Sequence, residues 1–142
     1  MGEMIMASNF AGIAFGNAGV GAVHALSYPL GGTYHVPHGE SNYQFFTEVF
    51  KAYERKAPAG QMKLLKEKLA TLMGCTPATL FDEIDTLLSA LIAKNPLHTY
   101  GMKEEEIEGF ADAVLATQQR LLANNYTPLT RDEIRDIYKA LY

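Results

Sequence analysis

The sequence predicts an all-α domain, and three observations lead to that prediction. Apolar residues recur at helical spacing from about residue 40 to the C-terminus. The sequence has no sustained alternation of apolar and polar residues and no hairpin dipeptide between apolar runs, so strand signals are almost absent. Short breaks that contain glycine or proline separate the apolar stripes. We therefore expect a single domain over residues 1–142, built as a bundle of about six to seven helices.

The N-terminal segment, Met4 to Val23, is rich in alanine and glycine. It has no basic start, follows Glu3 and contains Asn9 and Asn17, which is unlike a signal peptide. It is also too polar and too rich in glycine for a bilayer span. We expect a buried helix whose small residues allow close packing, and we find no targeting signal, so the expected compartment is the cytoplasm.

A second helix is expected over Val20 to Tyr28, ended by Pro29, Gly31 and Gly32. His38 follows Pro37 and is expected where the next helix begins. The later apolar stripes that predict helices cover residues 45–53, 62–73, 80–92, 103–116 and 134–141, and residues 115–123 either continue the fourth of these or form a short helix.

Capping residues mark the ends of several of these helices. Gly74 is expected as a C-cap, and Thr76 as the N-cap of the helix that follows. Thr130 and Glu133 have the spacing of a capping box at the last helix.

Composition excludes several classes of protein. The net charge of −4 argues against a nucleic-acid surface, which would be basic. The single cysteine, Cys75, excludes an internal disulfide and a cysteine-based zinc site, as expected for a reducing compartment. Neither nucleic acid nor a membrane is an expected partner.

Three of the four histidines, His24, His35 and His38, lie in a segment rich in glycine, proline and alanine. A tight loop between the two predicted helices can bring His24 and His38 together, and imidazole suits zinc, iron or nickel. The spacing of His35 and His38 would also place them on one helix face if that helix began early enough. The alternative is that these side chains line a turn and bond to the backbone.

A catalytic metal site normally needs a further carboxylate or nitrogen ligand. No aspartate precedes Asp82, and His98 lies in a turn where a surface role is the simpler interpretation. Glu40 could add an oxygen ligand, although its position two residues after His38 is weak support.

The same segment resembles the iron-containing (group III) alcohol dehydrogenases. In that family a helix of the form A-x-x-x-A-G-x-A-F-x-N-A-x-x-G-x-x-H-A leads into P-L-G and later P-H-G. This chain has A-S-N-F-A-G-I-A-F-G-N-A from Ala7, then His24-Ala25, Pro29-Leu30-Gly31 and Pro37-His38-Gly39. Its tail, N-N-Y-T-P-L-T followed by D-E-I, also resembles the family's C-terminal ending.

The resemblance implies a helical C-terminal domain of the dehydroquinate synthase-like type, without the α/β nucleotide-binding domain. In the family, iron or sometimes zinc is held by one aspartate and three histidines, and two of these histidines correspond to His24 and His38. The other two ligands have the spacing D-x-x-x-H, which is absent from this sequence, as is the glycine-rich loop that binds pyrophosphate. The chain is therefore expected to be the C-terminal part of a larger enzyme that uses Fe²⁺ or Zn²⁺, with NAD(P) bound mainly by the missing part.

Further site residues follow from the same resemblance. Many family members have a histidine four residues after the first of these ligands, where this chain has Tyr28. The surrounding sequence resembles the 4-hydroxybutyrate dehydrogenase branch, in which Tyr28 would touch the substrate or relay a proton; packing at a helix end is the alternative role. Asn17, Tyr34 and His35 are expected to line the substrate and cofactor cleft.

The expected reaction interconverts an alcohol and an aldehyde, 4-hydroxybutyrate and succinate semialdehyde, or in another branch butanol or 1,3-propanediol. The isolated chain is expected to be inactive. A different hypothesis is a freestanding helical domain that binds a partner and catalyses nothing. Either packing against the missing N-terminal domain or a homo-oligomer would cover an apolar face around Phe10, Ile13 and Phe15, which should otherwise be exposed.

Overall fold

The computed structural model describes residues 2–142 and confirms the all-α class. Over these residues it has eight α-helices, two short 3₁₀ helices and no strand. The α-helices are α1 Gly2–Ala18, α2 Ala22–Tyr34, α3 His38–Lys56, α4 Gln61–Met73, α5 Leu80–Ser89, α6 Ile107–Thr117, α7 Gln119–Leu122 and α8 Arg131–Leu141. The 3₁₀ helices are Leu97–Tyr100 and Glu104–Glu106. The count exceeds the expected six or seven because the single turn α7 is separate from α6.

The core lies among α2, α3, α6 and α8, each of which contributes fully buried side chains. Phe45 on α3 meets Tyr138 on α8 edge to face, with ring centroids 5.3 Å apart. The Tyr138 hydroxyl donates a 2.6 Å hydrogen bond to the Leu26 carbonyl on α2. One aromatic side chain thus joins three helices and keeps α2 and α3 adjacent.

Helix α2 continues beyond the point where the sequence predicted its end. It passes through Pro29 and the two glycines and ends at Tyr34, so the prediction of a break at Pro29 was wrong. Leu30 is buried against the core, and the free energy gained by this burial offsets the cost of the backbone hydrogen bond that Pro29 cannot donate. His35 ends the helix in the left-handed region, with φ 57°.

The expected caps hold at α4 and α8 but not at α5. Gly74 ends α4 in the left-handed conformation, and the capping box between Thr130 and Glu133 opens α8. Helix α5 begins at Leu80 rather than after Thr76, because residues 76–79 form a turn in which Thr76 Oγ1 accepts from the Thr79 N–H. The helix ends at Ser89, short of the expected residue 92.

No described residue of helix α1 is buried, so the expectation that this segment is buried was wrong for the chain by itself. Phe10 is 62% exposed, Ile13 56% and Phe15 58%, which confirms the expected apolar face. A break at residues 19–21 separates α1 from α2. Among the described residues no single helix is long and apolar enough to cross a membrane; α1 and α2 pass such a test only jointly, by length and composition, across a 102° bend.

Candidate metal centre

The structure brings His24 and His38 together. His24 lies in the first turn of α2, His38 is the first residue of α3, and a three-residue turn, 35–37, reverses the chain between the helices. The two imidazole rings have centroids 5.2 Å apart and planes inclined by 54°. The predicted convergence is therefore present, and it arises from the α2–α3 hairpin.

The ring separation fits a shared metal ion. Two imidazoles that bind one tetrahedral ion, with metal–nitrogen distances of about 2.0–2.1 Å, have centroids roughly 5 Å apart. Burial lowers the pKa of His24, and the nearby His38 lowers it further, which favours the neutral imidazole that metals bind. The described residues contain no group of three or more histidine, cysteine, aspartate or glutamate side chains arranged for a metal, so the pair forms part of a ligand set.

A hydrogen-bonded chain connects His38 to α2, the helix that carries His24. The Asn42 side-chain amide, one turn after His38 on α3, lies 3.0 Å from His38 Nε2. Asn42 Oδ1 accepts a 2.7 Å hydrogen bond from the Ser27 hydroxyl on α2, which also lies 3.0 Å from the His24 carbonyl. The orientation of His38 is thereby tied to Ser27 on α2, three residues after His24.

Tyr28 lies near this pair but is not at a helix end. It sits in the middle of α2, with 39% of its surface exposed, and its ring centroid is 6.3 Å from that of His38. Tyr28 and His38 border a pocket of about 330 Å³ whose other walls come from α2 and the start of α3. A tyrosine in this position can reach a molecule bound beside His38.

A second pocket, of about 380 Å³, adjoins His24 on its other side. Its walls are mainly apolar and aromatic, and no lysine or arginine lines it. The lining residues are Val20, Gly21, Ala22, Val23, His24, Phe46, Phe50, Tyr53, Asn124 and Tyr126. The two candidate metal ligands thus border different pockets: His38 a pocket with polar side chains such as Ser27 and Ser41 in its walls, and His24 a more apolar one.

The tail of the chain closes the apolar pocket and fixes the start of α2. Asn125 Oδ1 accepts a 2.7 Å hydrogen bond from the Ala22 N–H, and Asn124 Nδ2 donates to the Val20 carbonyl over 3.2 Å. A Cβ on Gly21 would lie 2.8 Å from Asn125 Oδ1, so the tail requires glycine there. Sequence reasoning found this tail only as a resemblance, because its partner lies about a hundred residues earlier.

Three predicted cleft residues have other surroundings. The Tyr34 hydroxyl hydrogen-bonds to Glu106, and its ring packs against Phe110, on the side of α6. His35 is exposed at the end of α2, before α3 begins, so it does not share a helix face with His38. The Asn17 side chain donates to the Ile13 carbonyl within α1. The cleft role of these residues stays a prediction.

The two weaker ligand candidates are engaged elsewhere. The Glu40 carboxylate accepts a 2.8 Å hydrogen bond from the Tyr100 hydroxyl, which also accepts from the Gln44 amide. His98 Nδ1 contacts the carbonyl oxygen of the C-terminal Tyr142, away from the histidine pair. Both side chains hold the periphery of the bundle together.

The chain belongs to the Fe-containing alcohol dehydrogenase family, whose C-terminal domain model matches residues 1–142. It is 57% identical over 140 residues to the 4-hydroxybutyrate dehydrogenase of Clostridium kluyveri, a match that covers 99% of this chain. It is 35% identical to long-chain-alcohol dehydrogenase 1 of Geobacillus thermodenitrificans and 28% identical to the NADPH-dependent butanol dehydrogenase of Clostridium saccharobutylicum, each also over 99% of the chain. No solved structure shows a significant match to it.

The chain spans a little over a third of the length of these relatives. The matched region is 38% of the Clostridium kluyveri enzyme, 36% of the Geobacillus enzyme and 37% of the butanol dehydrogenase.

Proposed function

We propose that residues 1–142 form one helical domain that supplies two metal ligands and one wall of the substrate site to an iron-type alcohol dehydrogenase. The activity best supported is the NAD(P)-dependent interconversion of 4-hydroxybutyrate and succinate semialdehyde. The observation that carries the proposal is the His24–His38 pair, with rings 5.2 Å apart, in a chain 57% identical to a 4-hydroxybutyrate dehydrogenase.

In this proposal His24 and His38 hold Fe²⁺ or Zn²⁺ through neutral imidazole nitrogens, and the remaining ligands and the nucleotide site come from other parts of the enzyme. When bound, the metal would supply Lewis acidity toward the alcohol oxygen and NAD(P) would supply the hydride acceptor. Tyr28, exposed beside His38, is placed to contact the substrate or to pass its proton to solvent.

The apolar pocket beside His24 supports a substrate with a short carbon chain. Phe46, Phe50 and Val23 line the pocket and offer apolar contact to methylene groups. A hydroxy acid also needs a partner for its carboxylate, and no cationic residue lines this pocket. Lys51 on α3 is already paired with Asp82 and Asp85, so we propose that the carboxylate is bound by the rest of the enzyme.

A chimeric enzyme tests the proposed function. Residues 1–142 replace the matched region of the Clostridium kluyveri enzyme, the protein is loaded with Fe²⁺ without oxygen, and NAD⁺ reduction is followed with 4-hydroxybutyrate as substrate. We expect turnover by the chimera and none by the isolated chain. His24→Ala and His38→Ala should each lower kcat/KM by roughly 100-fold or more, because each variant removes a metal ligand.

His98→Ala is the matched control, since it removes an imidazole outside the site and should leave kcat/KM nearly unchanged. A folded, metal-loaded chimera that oxidises butanol but not 4-hydroxybutyrate would replace the proposed substrate. Full activity in His24→Ala or His38→Ala would contradict the metal assignment.

A further inference from the structure

The hydrogen bonds around His38 bear on the protonation of its ring as well as on its position. Asn42 lies four residues after His38 on α3, so the two side chains lie on the same helix face, and the amide contacts Nε2 over 3.0 Å. Ser27, fully buried on α2, holds the other end of the amide through a 2.7 Å hydrogen bond to Asn42 Oδ1. A ring at the exposed start of a helix is thus anchored to a buried hydroxyl on the neighbouring helix.

The direction of these hydrogen bonds determines where the imidazole proton lies. The Ser27 hydroxyl has one proton and two nearby acceptors, and Asn42 Oδ1 at 2.7 Å is closer than the His24 carbonyl at 3.0 Å. With that proton donated to Asn42 Oδ1, the amide presents its N–H₂ group to His38. An N–H donor requires a lone pair on Nε2, and a neutral imidazole with that lone pair has its proton on Nδ1. Asn42 therefore selects the Nδ1–H tautomer.

We propose that Asn42, held by Ser27, is a positioning residue that fixes the ring orientation and the Nδ1–H tautomer of His38. The tautomer assignment stands on the metal-free chain; its consequence for a metal rests on the proposed function. Nε2 then carries its lone pair before a metal arrives, and binding replaces one hydrogen bond by one coordinate bond with no change of tautomer. Without Asn42, water bonds to the ring in its place, and both orientation and tautomer must be set when the metal binds.

Nitrogen-15 NMR of the metal-free chain, labelled at histidine, tests the tautomer directly at a pH well above the usual histidine pKa of 6.5. We expect His38 to be mainly in the Nδ1–H form in the wild type and to shift toward the Nε2–H form in Asn42→Ala. Ser27→Ala should shift it in the same direction, because it frees the amide to turn. Asn42→Asp offers only acceptors and should reverse the preference to Nε2–H.

The spectra contain their own reference, since exposed His35 should give the same signals in every variant. Asn9→Ala, on exposed α1, is the matched control and should leave His38 unchanged. Circular dichroism checks that each variant is folded, and Asn42→Asp, which keeps the shape of the side chain, carries the test if Asn42→Ala unfolds. The proposal would be overturned if His38 of the wild type is in the Nε2–H form. It would also be overturned if none of the three substitutions changes the tautomer of His38.

A Co²⁺ titration of the chimeric enzyme, which supplies the remaining ligands, followed by visible absorption measures the consequence for metal binding. Asn42→Ala should bind Co²⁺ about 2- to 10-fold more weakly than the wild type, which is the cost of ordering one side chain when the metal binds. Unchanged or tighter binding would show that the amide only competes for Nε2 and would contradict the positioning role. Failure of the wild-type chimera to bind Co²⁺ counts against the proposed function, while the NMR result still decides the tautomer assignment.

Discussion

Asp85 on α5 shows how a single side chain can join separate parts of this bundle. Its carboxylate accepts hydrogen bonds from Lys51 and Thr47 on α3 and from Lys94 in the segment after α5. Burial by itself raises the pKa of Asp85, but the hydrogen bonds from Lys94, Thr47 and Lys51 outweigh it and hold the pKa below the ordinary value of 3.8. The carboxylate therefore stabilises the fold only while it is ionised.

We expect Asp85 to make stability depend on pH. A carboxylate whose pKa is lowered by folding contributes stability that is fully present above its unfolded pKa, near 3.8, and is lost as the pH falls through the folded pKa. Asp85→Asn should therefore be less stable than the wild type near neutral pH, and the difference should shrink below about pH 3.8. Urea unfolding from neutral to acidic pH measures it.

Asp82→Asn is the control for this experiment, because the Asp82 carboxylate pairs with Lys51 but is largely exposed. Asp82→Asn should lower the free energy of unfolding at neutral pH less than Asp85→Asn does. A gap between Asp85→Asn and wild type that is independent of pH would contradict the argument.

The sequence could predict a site residue only where its partners lie close to it along the chain. His24 and His38 were predictable, because two helices joined by a short loop bring them together. Asn42 and Ser27 were not singled out, since an asparagine and a serine in helices carry no chemical signal until their partners are known. Phe46 and Phe50 were assigned to an apolar stripe, and only the packing of the tail against α2 shows that they also border a pocket.

At the scale of elements, Gly19 as well as Gly21 shapes the junction between α1 and α2. Gly19 has φ +77°, and a Cβ there would lie 2.5 Å from Asn124 Nδ2. The same Asn124 amide hydrogen-bonds to the Val20 carbonyl, so the tail and the junction share this contact. A side chain at Gly19 would be strained by the backbone conformation and would have to displace the Asn124 amide.

Gly19→Ala should therefore destabilise the chain by about 1 kcal/mol or more, from left-handed backbone strain together with displacement of Asn124. Gly16→Ala is the matched control, since Gly16 lies inside α1 with open space around it and alanine favours helix. Chemical unfolding of both variants measures the difference. Equal stability of the two variants would show that the junction does not need its glycine.

The helix ends that the sequence misplaced have two causes. At α2 the local signal of Pro29 competed with tertiary packing, and packing decided. At α5 Thr76 closes a local turn before the helix instead of capping it. At α4 and α8 the local signals, Gly74 and the Thr130 capping box, agreed with packing, and the expected ends were right. Sequence therefore predicts the helices well and their ends only where both influences agree.

At the scale of the whole molecule, α1 is the α-helix that contributes no buried residue to the core. None of the described residues of this helix is buried, although it is 17 residues long and rich in apolar side chains. An isolated helix of this length is marginally stable in water, so α1 gains most from being covered by another surface.

We expect the isolated chain to self-associate through α1. The sedimentation coefficient should rise with protein concentration, and Phe10→Glu together with Ile13→Glu should suppress that rise by placing charges on the exposed apolar face. Leu72→Glu, at a site 81% exposed on α4, is the matched control and should leave the rise with concentration unchanged. A monomer at all concentrations would argue against this surface.

The hairpin of α2 and α3 also has a consequence for the order of folding. His24 and His38 are separated by 14 positions in sequence and meet as soon as two neighbouring helices pair, which costs little loop-closure entropy. The apolar pocket depends on the contact of Asn125 with Ala22, across 103 positions. We therefore expect the histidine pair to form early, with the pocket beside it completed only when the tail docks.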